Sequence, residues 1–331
     1  MTTLLHSYLF AWLFVLGLSL GSLANLMVQS LTGGRWVEPV RPAWIAAARV
    51  LPLVALLFLP IAFGVRWIYP WTEAPGHWLN VPFFIVRSAA YLLVWCFLAA
   101  AFLRAERGNI EPAAGGGRRS RAWSAAGLII YTFTISFAAF DWIASLTPAW
   151  YSSGFGLVVG TGQMLSSCAF GVMAASLVAP AHPDRELRQR FHDLGNLLLM
   201  YVLVWAYLAF TQFLVIWSEN IPREIHWYVR RLETGWVALA WIVVALHFAL
   251  PFAILLSRDA KRSPRLLGSI AAGLLGVHLV QVYWMVVPSV RPEGFSLAWS
   301  DILVLLLLAA LGALAWRRAR PATAPVVASH G

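Results

Sequence analysis

The sequence predicts an all-α polytopic membrane protein of about nine transmembrane helices, grouped as two four-helix bundles plus a C-terminal helix. Three observations carry that reading. The 331 residues are 60% hydrophobic and only 11% charged, whereas soluble domains carry roughly 25% charged residues. Apolar runs of about 20 residues, the length that crosses a bilayer, recur along the chain. The basic residues, which set a formal net charge of +10, sit in short segments between those runs. That pattern orients a membrane protein and is not a nucleic-acid signal.

The predicted spans lie near 7–31, 43–65, 82–104, 122–146, 155–179, 193–217, 235–257, 264–288 and 299–316. Residues 1–146 form the first bundle and 147–290 the second, and 291–331 hold the extra helix and a basic tail. The first run follows no basic n-region and is too long for a signal peptide, so it reads as a true span. The linker from Arg104 to Arg121 contains Glu111-Pro-Ala-Ala-Gly-Gly-Gly-Arg-Arg119 and reads as a flexible basic loop. The tail after Trp316 is polar and is expected to be disordered.

Seventeen of the 24 Lys and Arg residues fall in alternate loops and the tail, five fall on the other side, and Arg49 and Arg87 lie inside spans. Cytoplasmic loops carry such an excess, so the N-terminus is expected outside and the C-terminus in the cytoplasm. Cys96 and Cys168 lie inside apolar runs and supply no Cys-x-x-Cys-His, cluster spacing or disulfide framework. No metal site is expected. The outer loops carry Trp67-Ile-Tyr-Pro-Trp71, Trp150-Tyr151 and Trp227-Tyr228, either an aromatic belt or a docking surface.

The stretch Ser136–Gly156 organises the rest. It places one carboxylate, Asp141, inside an apolar run, where an acid costs about 2.5–3.5 kcal/mol on insertion scales and marks a functional site by default. Pro148 is expected to end that helix. By helical rise, Asp141 and Gln212 lie roughly 7 Å from the outer ends of their spans, with Gln281 and Tyr283 at similar depth. Tyr207, His247 and His278 fall near 15–18 Å on the same scale. Asn25 and Tyr201 occupy the inner half, and His192-Asp193 the cytoplasmic start of span six.

Together these groups read as a polar ladder, and each rung has a plainer reading. Gln212 and Gln281 can bridge helices, as amides do in bundles. His247 and His278 can be satisfied core histidines, or ligate a haem if their rings face one another. Asp193 suits a helix N-terminus. The chemistry the set supports is coupled proton and electron transfer at a quinone. A carboxylate or histidine takes the proton, and Tyr or Gln hydrogen-bonds the ring oxygens. No redox centre of its own is visible, so electrons would leave through a partner.

Several stretches together resemble one family. They are Leu31-Thr-Gly-Gly-Arg-Trp36, Arg49-Val-Leu-Pro-Leu-Val-Ala-Leu-Leu-Phe-Leu-Pro60, Tyr69-Pro-Trp71, Asp141-Trp-Ile-Ala-Ser-Leu-Thr-Pro-Ala-Trp-Tyr-Ser152, His192-Asp-Leu-Gly195, Trp205-Ala-Tyr-Leu-Ala-Phe-Thr-Gln212, His247-Phe-Ala-Leu-Pro-Phe252 and Tyr283-Trp284. Over residues 7–290 the chain is similar to the ActF-type membrane subunit of alternative complex III, a bacterial quinol:cytochrome c oxidoreductase, in the polysulfide-reductase/NrfD-like superfamily. The resemblance implies two four-helix bundles in a bacterial inner membrane and no haem in this subunit. Its implied partners are a sister NrfD-like quinol-site subunit, an iron–sulfur subunit, c-type haem subunits and membrane lipid. The cofactor it implies is at most a quinone, menaquinone or ubiquinone. The better-supported quinol site belongs to the sister, and this subunit is expected to carry protons.

The chain also departs from that family. One further N-terminal span is usual, so the chain reads as a short form or one that starts late. The family's Leu-Asp-Pro-His-Trp-Tyr is here Leu146-Thr-Pro-Ala-Trp-Tyr151, and Gln281 stands where an Asp precedes the Tyr-Trp pair. These changes leave Asp141 more isolated. The candidate proton-pathway or quinone-contact residues are Asp141, Gln212, Tyr207, His247, His278, Gln281, His192 and Asp193, with no catalytic residue assigned. Two other functions remain open: a purely structural membrane anchor, and a standalone transporter, against which no broken-helix pair is evident.

Overall fold

The computed structural model describes residues 1–106 and 117–320. Most of the predicted Glu111–Arg119 loop and the end of the tail fall outside them. Among the described residues the fold is all helical: eight helices are long and apolar enough to cross a membrane, and nine if one bent helix pair is counted as a single span. In chain order these are α1 (Thr2–Thr32), the broken span α2–α4 (Arg41–Arg49, Leu51–Leu56, Leu59–Ile68), α5 (Val81–Glu106), α6 (Arg118–Trp142) and α7 (Phe155–Ser176). There follow α8 (Arg185–Glu219), a surface helix α9 (Pro222–Leu232), and α10 and α11 (Val237–Val243, Leu250–Leu255) joined by a π turn at Val244–Ala249. The chain ends with α12 (Arg258–Arg262), α13 (Pro264–Val290) and α14 (Trp299–Ala319).

Helix α1 is the axis. It is apolar on all sides, the signature of a helix buried all round, and 89% of its spanning window is buried inside the protein, against 17% for α10–α11. It packs against α7, α14, α2, α6 and α13. Its closest approach is to α7, at Gly17 and Gly21. A Cβ at Gly21 would stand 2.2 Å from the Gln163 carbonyl oxygen, so only glycine lets the two backbones touch there. Small residues four apart serve this purpose in membrane helix pairs.

Proline chemistry explains the irregular spans. Pro42, Pro52 and Pro60 divide the second span, and it bends by 53° between Leu56 and Leu59. A proline has no N–H to bond the carbonyl four residues back. At the break, Tyr8 and Trp12 of α1 donate to the Leu57 and Val54 carbonyl oxygens at 2.8 and 2.9 Å. The sequence-based expectation that no span is broken is therefore corrected. Pro251 likewise withdraws the donor that the His247 carbonyl would use, and the chain there opens into the π turn. Pro288 lies inside α13 and does not end it. The carbonyl it orphans, Trp284 O, is bonded by Nε of Arg231 at 3.2 Å.

Three other boundaries differ from expectation. Helix α6 stops at Trp142, well before Pro148, and a 3-10 turn (Ala144–Leu146) follows in which Ser145 bonds the Asp141 carbonyl. Helix α8 starts at Arg185, capped by the Asp184 carboxylate on the Leu187 N–H at 2.7 Å, so His192 and Asp193 lie two turns inside it. Helix α14 runs three residues past Trp316.

The two ends of the bundle differ chemically. One end, the basic face, carries the ion pairs Arg35–Glu186, Arg190–Glu38 and Arg41–Glu106. The other, the aromatic face, carries the Pro70–Thr72 turn and α9. Its aromatics are mostly packed inward: Tyr69, Trp71, Trp150, Trp227 and Tyr228 are buried, and Trp150 stacks on Trp227 with centroids 4.7 Å apart. Of the outer-loop aromatics singled out in the sequence, only Trp67 and Tyr151 are exposed.

Candidate functional site

Asp141 is not isolated. It lies at the end of α6, where Arg87 of α5 grips its carboxylate with two bonds: Nε to Oδ2 at 2.8 Å and Nη2 to Oδ1 at 2.7 Å. The Tyr91 hydroxyl adds a third at 3.0 Å. Arg87 is itself held by the Trp78 carbonyl at 3.0 Å, with its guanidinium 4.3 Å from the Trp78 ring and 4.2 Å from the Phe83 ring. Next door, Trp142 donates to Ser88 and accepts from Tyr69. A bidentate guanidinium fixes both oxygens of a carboxylate in one planar geometry. The arrangement welds α5 to α6 and leaves neither oxygen free for a substrate.

The other polar groups gather along α7. The glycines of that helix give the heights. A Cβ at Gly154 would stand 4.0 Å from Gln212 Oε1, at Gly160 3.5 Å from the Tyr131 hydroxyl, and at Gly162 3.0 Å from His278 Cε1. Tyr131 bonds Gln163 at 3.1 Å and the Gly160 carbonyl at 3.0 Å. One turn further, Asn25 of α1 donates to Ser167 at 2.7 Å and to the Met164 carbonyl at 2.9 Å, and accepts from Tyr201 of α8 at 2.5 Å. From Gly154 to Ser167 this is about 20 Å of helix, with polar side chains from α1, α6, α8 and α13 set against it.

Its centre is the histidine pair. His247, on the π turn, stacks on His278 with ring centroids 5.7 Å apart and planes 23° from parallel. Trp205 packs edge-on against His247 at 4.3 Å. His278 Nδ1 lies 3.0 Å from Gln281 Oε1, one turn along its own helix. His247 is fully buried, and both its ring nitrogens lack a hydrogen-bond partner, as does Trp205 Nε1 beside it. Each buried polar group left unpaired costs about 1–3 kcal/mol, so such a group in a native interior asks for an explanation. An imidazole with both nitrogens free takes a proton on one and gives it up from the other.

The remaining predicted residues fall elsewhere. Gln212 donates to the Tyr228 hydroxyl of α9 at 3.0 Å, and burial pushes the pKa of that phenol up to about 12. Tyr207 is 68% exposed on the outer surface of α8 and touches none of these clusters. His192 and Asp193 engage Asn196 and Gln189 of their own helix near the basic face. Asp141, Gln212, Tyr207 and His278 therefore do not converge on one pocket, and the quinone-holding set expected from sequence does not fit.

Some partners were not assigned from sequence. Arg87 was visible as an intramembrane arginine, and matching its depth to Asp141 would have paired the two. Arg231 is fully buried with no carboxylate partner among the described residues: it bonds the Trp284, Met285 and Trp227 carbonyls and Ser289, packed against Trp227 at 3.5 Å. Asp301 of α14 binds Arg291 at 2.7 Å, Tyr283 at 2.9 Å and Ser7 of α1 at 2.5 Å, closing the aromatic face. Among known proteins, no family model and no curated sequence matches the chain.

Proposed function

We propose that this protein is an integral membrane subunit of a bacterial respiratory quinol:cytochrome c oxidoreductase, of the ActF, NrfD-like type, and that it carries protons along α7. On this reading the quinol is oxidised in a sister subunit, and electrons pass to iron–sulfur and c-type haem subunits docked on the outer, aromatic face. The N-terminus is outside and the C-terminus in the cytoplasm, as the basic-residue bias favours. Two of the stretches that carry the family resemblance coincide with irregular backbone: Arg49–Pro60 with the broken span and His247–Phe252 with the π turn. Irregular turns inside membrane helices are retained where they serve a site.

The single observation that carries the proton role is the buried His247 with two unpartnered nitrogens, stacked on His278. Tyr131, Gln163, Asn25 and Tyr201 extend that polarity toward the basic face, and Gln212 toward the aromatic face. The test is His247→Phe in the assembled complex reconstituted in vesicles. Quinol-driven cytochrome c reduction and pH-dye signals are read together. Electron transfer is expected to persist while the protons moved per electron fall.

A second reading, a membrane anchor that conducts nothing, draws support from the locked Arg87–Asp141 pair. An unchanged proton stoichiometry in His247→Phe would favour it.

A further inference from the structure

Two groups of arginines stand out on the basic face. Arg35, Arg41 and Arg190 are paired with Glu38, Glu106 and Glu186. Among the described residues Arg185, Arg188, Arg262 and Arg265 make no ion pair, and all four line one cleft of about 810 Å³ between the α7–α8 turn and the α12–α13 corner. A single carboxylate, Asp259, shares its wall, and His182, Gln189, Ser176 and Ser263 complete the polar lining. Helices α8 and α13 both begin here; the Asp184 carboxylate already caps α8, whereas α13 is capped by the neutral Ser263 hydroxyl and turns the positive end of its peptide dipole to the cleft.

Four like charges gathered in a concave site repel one another, and a bound anion relieves that repulsion. Guanidinium groups match phosphate oxygens in paired, planar hydrogen bonds. The setting specifies the anion further. Leu177 and Val178, which follow α7 beside the cleft, are 79% and 71% exposed, and Leu266 beside Arg265 is 46% exposed. Apolar side chains this open, next to a basic cleft at the end of membrane helices, suit acyl chains. Basic pockets between membrane helices hold anionic headgroups in this way.

We propose that this cleft binds the phosphate headgroup of an anionic phospholipid, held by Arg185, Arg188, Arg262 and Arg265, with Leu177 and Val178 against the acyl chains. Four guanidinium groups against one carboxylate leave room for more than one negative charge, so a headgroup with two phosphates binds more tightly than one with a single phosphate. The site is independent of the proton pathway.

The experiment uses the full chain, purified in mild detergent, stripped of lipid and observed by native mass spectrometry. Cardiolipin, phosphatidylglycerol, phosphatidylcholine and inorganic phosphate are added in separate titrations. Cardiolipin is expected to bind at the lowest concentration, phosphatidylglycerol next, and phosphatidylcholine not at all. The quadruple change R185Q/R188Q/R262Q/R265Q weakens cardiolipin binding by at least about tenfold, and Arg118→Gln with Arg119→Gln, on the same face outside the cleft, leaves it unchanged. If the quadruple variant does not fold, the single changes Arg188→Gln and Arg265→Gln give the same reading, each with a smaller loss. Equal binding of phosphatidylcholine, or an equal loss in the Arg118/Arg119 control, overturns the proposal. Displacement of the lipid by inorganic phosphate at equal concentration overturns its lipid part and assigns the cleft to free phosphate.

Discussion

Breaking the Arg87–Asp141 pair is the perturbation whose cost follows most directly from the structure. Asp141→Asn keeps the shape of the side chain and removes its charge. Arg87 then has the Trp78 carbonyl at 3.0 Å and one amide oxygen in place of two carboxylate bonds at 2.7 and 2.8 Å. The two side chains are 8% and 0% exposed, so water compensates little. Breaking a buried pair on one side costs about 3–5 kcal/mol. The double replacement of Arg87 by Met and Asp141 by Leu removes both desolvation penalties. It should recover most of that loss, with a coupling of about 2 kcal/mol or more between the sites. The assay is SDS-induced unfolding in mixed micelles, followed by tryptophan fluorescence, for the wild type, both single variants and the double. An Asp141→Asn midpoint equal to wild type would refute the reasoning, as would a double variant no more stable than the worse single.

Three further outcomes are expected. Gly21→Ala pushes a methyl into the Gln163 carbonyl and separates α1 from α7, costing about 1–3 kcal/mol; Gly273→Ala, which meets nothing within 4 Å, is the tolerated control in the same unfolding assay. Tyr228 has a folded pKa raised to about 12 from 10.0 by burial. The folded state therefore holds that proton more tightly, and the stability this brings is complete below pH 10 and lost as the pH rises toward 12. The loss amounts to roughly 2–3 kcal/mol; Tyr228→Phe should flatten the slope, and an unaltered alkaline unfolding profile contradicts the assignment. Tyr207→Leu, on the exposed side of α8, should leave both proton transfer and unfolding within about 0.5 kcal/mol of wild type, and a large proton defect would return Tyr207 to the pathway.

What hydropathy encodes was legible in the chain. The bundle is built from runs of bilayer length, and those runs appear as helices. Boundaries were harder where a proline acts with a distant partner. The span predicted at 264–288 closes on Pro288, yet Arg231, from a surface helix 57 residues earlier, takes over the Trp284 carbonyl and α13 runs on to Val290. Pro148 looked like the end of α6, but the helix stops at Trp142. That shift puts Asp141 at a helix terminus, within reach of Arg87, and makes it a joint between helices.

The ladder of polar groups was partly legible for a similar reason. Depth along a helix can be counted from sequence, so His247 and His278 were placed at one level. Which way a side chain faces cannot be counted without the neighbours. Tyr207 shares that depth with the histidines but points outward, and Asn25 meets Tyr201 and Ser167 only because Gly17 and Gly21 bring α1 against α7. The aromatic loops were similarly ambiguous, since the sequence left an aromatic belt and a docking surface both open, and Trp150 and Trp227 stack on each other instead.

The central claim is that the protein works as a membrane subunit of a quinol-oxidising complex. The most direct measurement is affinity purification of the tagged chain in mild detergent, with quinone extraction and an absorption spectrum of the product. The account predicts c-type haem absorption together with an iron–sulfur protein and a sister membrane subunit in fixed proportion. A lone, colourless, stable protein would contradict it and return the chain to the transporter reading.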